Sequence, residues 1–203
     1  MRTFIAIELP ANIQKQVYQV QLQLQASLQD LQIARCIRWA PVTQIHLTLR
    51  FLGETNPIQQ ESLARHLKQT TLHPTAFRLS LGGIGCFPDF RKPSVVWLGV
   101  GGEVGELQQL QAKIERLAQT AGFVAEKRPF SPHLTLGRAR RDSSPVELRR
   151  VGEALKNFQS ELETQRRAPV VLDSFAVTQI VHMQSELRPE GARHTPVMHY
   201  LLG

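Results

Sequence analysis

Cysteine and long apolar runs are both scarce in this chain. Of its 203 residues only Cys36 and Cys86 are cysteines, too few for a disulfide framework. They are expected to be small buried side chains, a catalytic thiol being the lesser alternative. No stretch approaches the roughly 18 apolar residues of a membrane span, and the opening MRTFIAIELP lacks the features of a signal peptide. These absences predict a soluble cytoplasmic protein without a membrane partner or an evident obligate protein partner.

Several catalytic signatures are also missing. GGIGCF and GVGGEVG are rich in glycine, but neither has the spacing of a P-loop or of a dinucleotide-binding fingerprint. There is no G-x-S-x-G elbow for acyl transfer. Neither His-Glu-x-x-His nor clustered carboxylates occur, so no metal site is expected. The chemistry is therefore expected to need no cofactor.

The chain carries an excess of basic residues. The formal net charge of +7 favours a polyanionic partner such as RNA, through contacts with phosphates. Basic residues are dense from Arg138 to Arg150. A solvated surface that is simply basic explains the same composition, and the charge alone leaves both interpretations open.

Apolar periodicity predicts both strands and amphipathic helices. Helices are expected where apolar residues recur at steps of three and four, at about 11–32, 57–70, 105–122 and 143–162. The last opens with a capping box of Ser144 and Glu147 around Pro145. Other apolar segments predict strands, at 2–9, 36–39, 45–52, 77–87, 94–100, 132–138, 170–183 and 195–202.

The two halves of the chain follow the same order of elements. Each has a strand carrying the letters HLTL, an amphipathic helix and then a long strand, in pseudo-repeats around 35–100 and 123–182. No linker rich in serine, glycine or proline separates them. We therefore expect a single domain over residues 1–203, with two lobes that share a cleft.

The HLTL segments begin at His46 and His133. Alternate side chains of a strand share a face, so His46 and Thr48 should point one way and their leucines the other, as should His133 and Thr135. A third His-x-Thr, at 73–75, contains a proline and is set aside as chance. One such strand alone would be an ordinary half-exposed strand, but two in matched places favour a shared polar site.

Two facing imidazoles suit a reaction that removes one proton and delivers another, because histidine titrates near neutral pH. The threonine hydroxyls can donate to phosphate oxygens. Arg138 follows the second motif at an odd offset from His133, so it would have to curl back to reach the site. Binding a phosphate there and forming a salt bridge elsewhere are its two possible roles.

These residues resemble the two-histidine (2H) phosphoesterase superfamily, whose HXTX motifs lie on strands of a duplicated unit. MRTFIAIELP, IRWAPVTQIHLTLRFLGE, LGGIGCFPDFRKPSVVWLGV and RPFSPHLTLGRAR are similar to segments of its LigT/ThpR-type RNA 2',3'-cyclic phosphodiesterases. SELRPEGARH resembles that branch's ending. His194 departs from the pattern, because an aromatic residue such as tyrosine is expected there, and its place at the start of a strand reads as peripheral.

The resemblance implies an α+β fold with two antiparallel β-sheets, outer helices and a central cleft. It also implies hydrolysis of a terminal 2',3'-cyclic phosphate to a 2'-phosphate without a metal. His46 would be the proton donor to the 3'-oxygen, and His133 the proton acceptor that activates water. Thr48 and Thr135 would bind the non-bridging phosphate oxygens.

Three further residues are candidates for substrate binding. Arg50 is expected on the His46 face, where it would contact phosphate or be solvated. Phe51 could stack on a base, although strand parity places it opposite His46 and favours core packing. Phe87 is a candidate stacking residue at the rim of the cleft, whereas Trp39 and Trp97 are expected in the core.

Other functions remain open at the level of sequence. The same fold could act on 2'–5'-linked oligonucleotides, on small cyclic phosphates such as ADP-ribose cyclic phosphate, or in the reverse direction as a 2'–5' ligase. A non-catalytic RNA-binding module is the alternative of a different class. It is disfavoured because binding alone would prefer arginine or lysine at the His and Thr positions.

Overall fold

The computed structural model describes residues 1–69, 75–164, 172–188 and 191–203. The four predicted helices are present within a few residues of their expected ends, and most of the third His-x-Thr match lies outside the described residues. The elements are β1 Arg2–Glu8, α1 Ala11–Asp30, β2 Ile37–Trp39, β3 His46–Glu54, α2 Pro57–Gln69, β4 Phe77–Phe87, β5 Val95–Gly102, α3 Val104–Thr120, β6 His133–Ala139, α4 Pro145–Thr164, β7 Leu172–Val177, β8 Gln179–Arg188 and β9 Gly191–Leu201.

The helices form where the sequence predicts one apolar face. The α1 residues that face the core are Ile13, Val17, Val20, Leu24 and Leu28. The capping box of α4 is confirmed, because the Glu147 N–H donates to Ser144 Oγ (3.3 Å) and the Ser144 N–H donates to Glu147 Oε2 (2.8 Å). Within the described residues no helix has both the length and the hydropathy that a membrane span requires.

The strands form a curled antiparallel sheet in the order β7-β4-β5-β6-β3-β1-β8-β9, with β2 added to β6. The α+β fold class is confirmed. The two sheets expected from the resemblance correspond to β7-β4-β5-β6 and β3-β1-β8-β9. They are joined where Leu47 of β3 pairs with Leu134 of β6. The two lobes thus meet at the two HLTL segments.

One predicted strand is in fact two. In the described part of segment 170–183, β7 ends at Val177 and β8 begins at Gln179. The carbonyl of Thr178 between them accepts a hydrogen bond from the Leu202 N–H (2.9 Å). β7 then pairs with β4 and β8 with β1, so the chain passes from one half of the sheet to the other. Without glycine or proline at the break, apolar periodicity could not reveal it.

The helices cover the outer face of the sheet. Helix α4 contacts α1 and β4, while α3 contacts α2 and β3, and the main hydrophobic core lies between these layers. The inner face carries a smaller cluster from β1 and β8, comprising Phe4, Ala6, Val181 and Met183. The inner face is where the polar residues of the HLTL strands lie.

Both cysteines are buried and free, as predicted. Burial, together with the nearby Asp89 carboxylate, raises the pKa of the Cys86 thiol to about 11. The thiolate is the reactive form of cysteine. Cys86 is therefore a poor nucleophile at neutral pH, and packing is its role in the fold.

Candidate active site

The two HLTL segments have the alternation that the sequence predicts. Leu47 and Leu134 are fully buried in the core, while the histidine and threonine of each motif are partly exposed. Each motif starts its strand, β3 at His46 and β6 at His133. The polar pair of each strand therefore lies on the inner face of the sheet, and the leucines anchor both strands from the core side.

The pairing of Leu47 with Leu134 brings the motifs together. Because β3 and β6 are antiparallel, this register sets His46 level with Thr135 and Thr48 level with His133. Side chains that are opposite each other in an antiparallel pair lie on the same face. The four motif side chains thus form one polar group around a local two-fold axis through the two leucines.

Both imidazoles are held in the same way. His46 Nδ1 lies 2.9 Å from the Gln44 carbonyl oxygen, and His133 Nδ1 lies 2.7 Å from the Ser131 carbonyl oxygen. A carbonyl oxygen can only accept, so each Nδ1 carries the hydrogen and donates it. The Nε2 atom of each neutral ring is then left as a base, and that of each protonated ring as an acid. Either histidine can serve as proton donor or acceptor.

The surroundings of His46 are aromatic and enclosed. Its ring stacks on Phe4 with centroids 4.6 Å apart, and it makes a T-shaped contact with the His194 ring, with centroids 4.9 Å apart. Burial lowers the pKa of His46 to about 4, an effect that the Gln44 carbonyl opposes and that the nearby His194 and His133 strengthen. His46 is therefore neutral at pH 7 in the free protein.

His194 is part of the site, contrary to its peripheral position in the sequence-based prediction. Its backbone N–H donates to Gln44 Oε1 (2.6 Å), and the same Gln44 holds His46 through its carbonyl. Its Nδ1 atom is buried without a hydrogen-bond partner in the described part of the chain. His46, His194 and Glu8 line a cavity of about 210 Å³ beside the motif. The unexpected histidine at this position was the sequence signal for it.

Phe87 lies against the second histidine. Its ring centroid lies 4.9 Å from that of His133, in a T-shaped contact, and 5.4 Å from that of Trp97. Trp97 pairs with Gly85 and Thr135, and a Cβ at Gly85 would lie 2.2 Å from its indole ring. The prediction that Trp97 lies in the core is therefore wrong: its ring lies across Gly85 on the site face. Trp39 packs against the core as predicted.

A β-bulge moves Arg50 off the His46 face. Two consecutive residues of β1 pair with Thr48 and Arg50 of β3. Leu49 between them has no partner on β1, and this extra residue reverses the alternation of side chains. Arg50 is 6% exposed; it forms an ion pair with Glu115 of α3 and donates to the Val124 carbonyl. The prediction that Arg50 shares the His46 face is wrong, because strand parity assumed an unbroken ladder.

The same bulge places Phe51 on the site face. Its side chain is 59% exposed, and its ring centroid lies 6.0 Å from that of Phe4, which stacks on His46. Parity placed Phe51 opposite His46 and favoured core packing, and both expectations are wrong. The exposed ring leaves base stacking sterically open to it.

A matching bulge occurs in the second motif. Two consecutive residues of β5 pair with Thr135 and Gly137 of β6, so Leu136 between them has no partner on β5 and is the extra residue of the bulge. Arg138 consequently shares the Thr135 face and need not curl back from the strand end as the sequence suggested. The arginine is exposed, and no ion pair ties its side chain to any residue that the structure describes.

The comparisons with known proteins agree with this geometry. Residues 20–188 match the family model described as the 2'-5' RNA ligase superfamily. The relatives named RNA 2',3'-cyclic phosphodiesterase include proteins of the archaea Archaeoglobus fulgidus and Aeropyrum pernix. The Archaeoglobus fulgidus protein is 32% identical over 72% of this chain and 77% of its own length. The Aeropyrum pernix protein is 41% identical over 46% of this chain and 52% of its own length.

A solved structure extends the likeness to the whole fold. The crystal structure of Escherichia coli LigT complexed with 3'-AMP has a TM-score of 0.72 and 26% identity, covering 99% of this chain and 97% of that one. The family match covers well over half of the chain, and the structural match includes both lobes. The chain therefore belongs to the 2'-5' RNA ligase superfamily.

Proposed function

We propose that the protein is an RNA 2',3'-cyclic phosphodiesterase that hydrolyses a terminal cyclic phosphate to a 2'-phosphate. The observation that carries the proposal is the pairing of Leu47 with Leu134, which sets two His-x-Thr pairs on one face of the sheet. The name of the archaeal relatives, RNA 2',3'-cyclic phosphodiesterase, supports the opening of a 2',3'-cyclic phosphate.

In the proposed reaction, water attacks phosphorus opposite the 3'-oxygen. His133 Nε2 takes a proton from the water as its oxygen bonds to phosphorus. As the bond between phosphorus and the 3'-oxygen breaks, His46 Nε2 delivers a proton to that oxygen. One water is consumed and the 2'-ester bond survives. The histidines then exchange protons with solvent to return to their starting states. Each transfer contributes roughly 10²–10⁴-fold to the rate.

The two threonines would stabilise the charge on the phosphate. Thr48 is level with His133 and Thr135 with His46 in the register of β3 and β6, so each hydroxyl lies beside the imidazole of the other motif. Two donors on the same face can bind the two non-bridging oxygens while the imidazoles act along the line of attack.

The burial of His46 bears on its role as proton donor. With a pKa of about 4 in the free protein, this imidazole gains its proton when an anionic phosphate binds beside it. A negative charge close to a buried imidazole favours the protonated form. The bound substrate thus raises the pKa of the acid that cleaves it, so that His46 takes up a proton from solvent, whereas free protein at neutral pH keeps His46 in its neutral form.

The experiment is hydrolysis of a nucleoside 2',3'-cyclic phosphate in EDTA, with 2'- and 3'-phosphate products resolved by chromatography. His46→Ala and His133→Ala should each lower kcat by about 10²-fold or more, whereas His66→Ala on helix α2 serves as the control for loss of a histidine. A 3'-phosphate product, or activity that survives both motif substitutions, would refute the mechanism.

The family description favours a second candidate, 2'–5' ligation. A ribose 5'-hydroxyl can replace water as the nucleophile at the same phosphorus, with the same two proton transfers. Adding an RNA with a free 5'-hydroxyl to the assay distinguishes the two reactions. A product resistant to ribonucleases specific for 3'–5' linkages would show ligation, and accumulation of the 2'-phosphate alone would exclude it.

We further propose that the substrate is an RNA end in the cytoplasm and that the chain is one bilobal domain with pseudo-repeats around 35–100 and 123–182. Two free cysteines are consistent with a reducing compartment. The repeat is supported by three paired features: the HLTL motif, the carbonyl that holds each histidine and the bulge after each threonine.

A further inference from the structure

Two arginines face each other across strands β2 and β6. Arg38 pairs with Arg138 in an antiparallel register, and like charges directly opposite each other destabilise a sheet. Both side chains are exposed, and neither forms a hydrogen bond or an ion pair within the described residues. By contrast, Arg35 forms an ion pair with Glu147 nearby. The repulsion between Arg38 and Arg138 is left uncompensated within the described chain.

The pair lies on the face of the proposed active site. Thr135 and Arg138 are opposite Trp97 and Val95, which are two residues apart on β5, so they are separated by roughly 7 Å along the strand. Along β6, Arg138 follows Thr135 on the side away from His133, and Thr135 is level with His46. The two guanidinium groups thus extend the site beyond its His46 end.

We propose that Arg38 and Arg138 form a second phosphate site, which binds the phosphodiester linking the terminal nucleotide to the rest of an RNA strand. This inference rests on the proposed function. If His46 protonates the 3'-oxygen, the ribose lies toward the His46 end, and its 5'-phosphate points to the arginines. A phosphate anion between two guanidinium groups removes their repulsion, and planar guanidinium groups bind phosphate through paired hydrogen bonds.

The other end of the site has a different character. The bulge after Thr48 places Phe51 on the same face, at the position that Arg138 occupies in the second motif. An exposed phenyl ring attracts a base or a ribose but not a phosphate. The two-fold arrangement of catalytic residues therefore has one cationic end, which gives the bound strand a single direction and favours oligonucleotides over mononucleotides.

The test compares two substrates, a nucleoside 2',3'-cyclic phosphate and a dinucleotide ending in the same group. In wild-type protein the dinucleotide should have a kcat/KM about tenfold higher, the effect of one charge-assisted contact. A dinucleotide with a neutral methylphosphonate linkage should lose that advantage. Arg38→Gln and Arg138→Gln should each reduce the ratio of the two kcat/KM values, and Arg149→Gln on the surface of α4 is the matched control for loss of one charge.

Thermal unfolding separates a lost phosphate contact from a loss of folded protein, because the two effects have opposite signs here. Removing one like charge should raise the Tm of Arg38→Gln while its preference for the dinucleotide falls. An unchanged ratio in both site variants, or an equal fall in Arg149→Gln, would overturn the second phosphate site.

The proposed function and the second site can fail separately. If wild-type protein hydrolyses neither substrate, the proposed function fails. Calorimetric binding of the corresponding 2'-phosphate products then tests the second site. The site is supported if the dinucleotide product binds more tightly than the mononucleotide product in wild-type protein but not in the two arginine variants. It is overturned if wild-type protein binds both products equally.

Discussion

The protonation of His46 is the most demanding requirement of the proposed mechanism. Burial lowers its pKa from 6.5 to about 4, so at pH 7 only about one free molecule in a thousand carries the proton that the reaction needs. We predict that the bound cyclic phosphate raises this pKa toward neutrality. The test is therefore to add the cyclic phosphate and to follow the titration of the His46 imidazole.

The size of the effect follows from the shift. Raising the pKa from about 4 to about 7 corresponds to an interaction of roughly 4 kcal/mol between phosphate and imidazolium. By linkage, the cyclic phosphate must then bind the protonated form more tightly by the same amount. Its affinity should increase by up to about tenfold for each pH unit between pH 7 and the free pKa of His46.

Nuclear magnetic resonance of the imidazole carbons in His133→Ala measures this directly. The variant is expected to bind the cyclic phosphate without hydrolysing it, and this ligand keeps one negative charge over the whole range. His46→Gln identifies the resonance by its loss. A free His46 that titrates near 6.5, or a cyclic phosphate that binds no more tightly as the pH falls, would refute the assignment of His46 as the substrate-activated acid.

Three further predictions concern stability. The pKa of His46 is lower in the folded state than in the unfolded chain, so unfolding becomes more favourable as the pH falls from 6.5 to about 4, and this residue alone should lower the free energy of unfolding by about 3 kcal/mol over that window. Urea unfolding at several pH values should show a smaller loss of stability in His46→Gln than in wild-type protein. An equal loss in both would contradict the prediction. In Gly152→Ala the new Cβ would lie 1.7 Å from the Phe90 carbonyl oxygen, whereas the Cβ of Gly105→Ala meets open space. Gly152→Ala should therefore lose about 1–3 kcal/mol of stability, and thermal melts should show a lower Tm for this variant only. Arg50→Gln breaks a buried ion pair and should cost about 3 kcal/mol in urea unfolding; lost turnover at unchanged stability would instead favour a direct role in the reaction.

The features predicted correctly from sequence depend on local patterns. The α4 capping box involves two residues separated by one turn, and the four helices follow from apolar residues at steps of three and four. The faces of His46 and Thr48 follow from the alternation of one short strand, before any irregularity occurs. Their assignment to a shared site required the repeat, because neither strand alone indicates what lies opposite it.

The errors began where each strand departs from regular alternation. Leu49 and Leu136 occupy bulges, yet leucine is an ordinary strand residue and carries none of the signals of a bulge, such as glycine. Every residue beyond such a point changes face. The faces of Arg50 and Phe51 were therefore both reversed, and Arg138 reached the site without the curled path expected for it.

The paired bulges also explain how a symmetric scaffold can carry out a directional reaction. Up to each threonine, the two motifs are alike in sequence, in the carbonyl that holds the histidine and in the leucine that joins the strands. Beyond the bulges the next residue on the site face differs, Phe51 at one end and Arg138 at the other. The histidine and threonine of the two motifs would contact a cyclic phosphate at the two-fold axis alike, so its orientation must be set by groups outside the motifs. Discrimination between the 2'- and 3'-oxygens thus depends on residues that the motif itself does not contain.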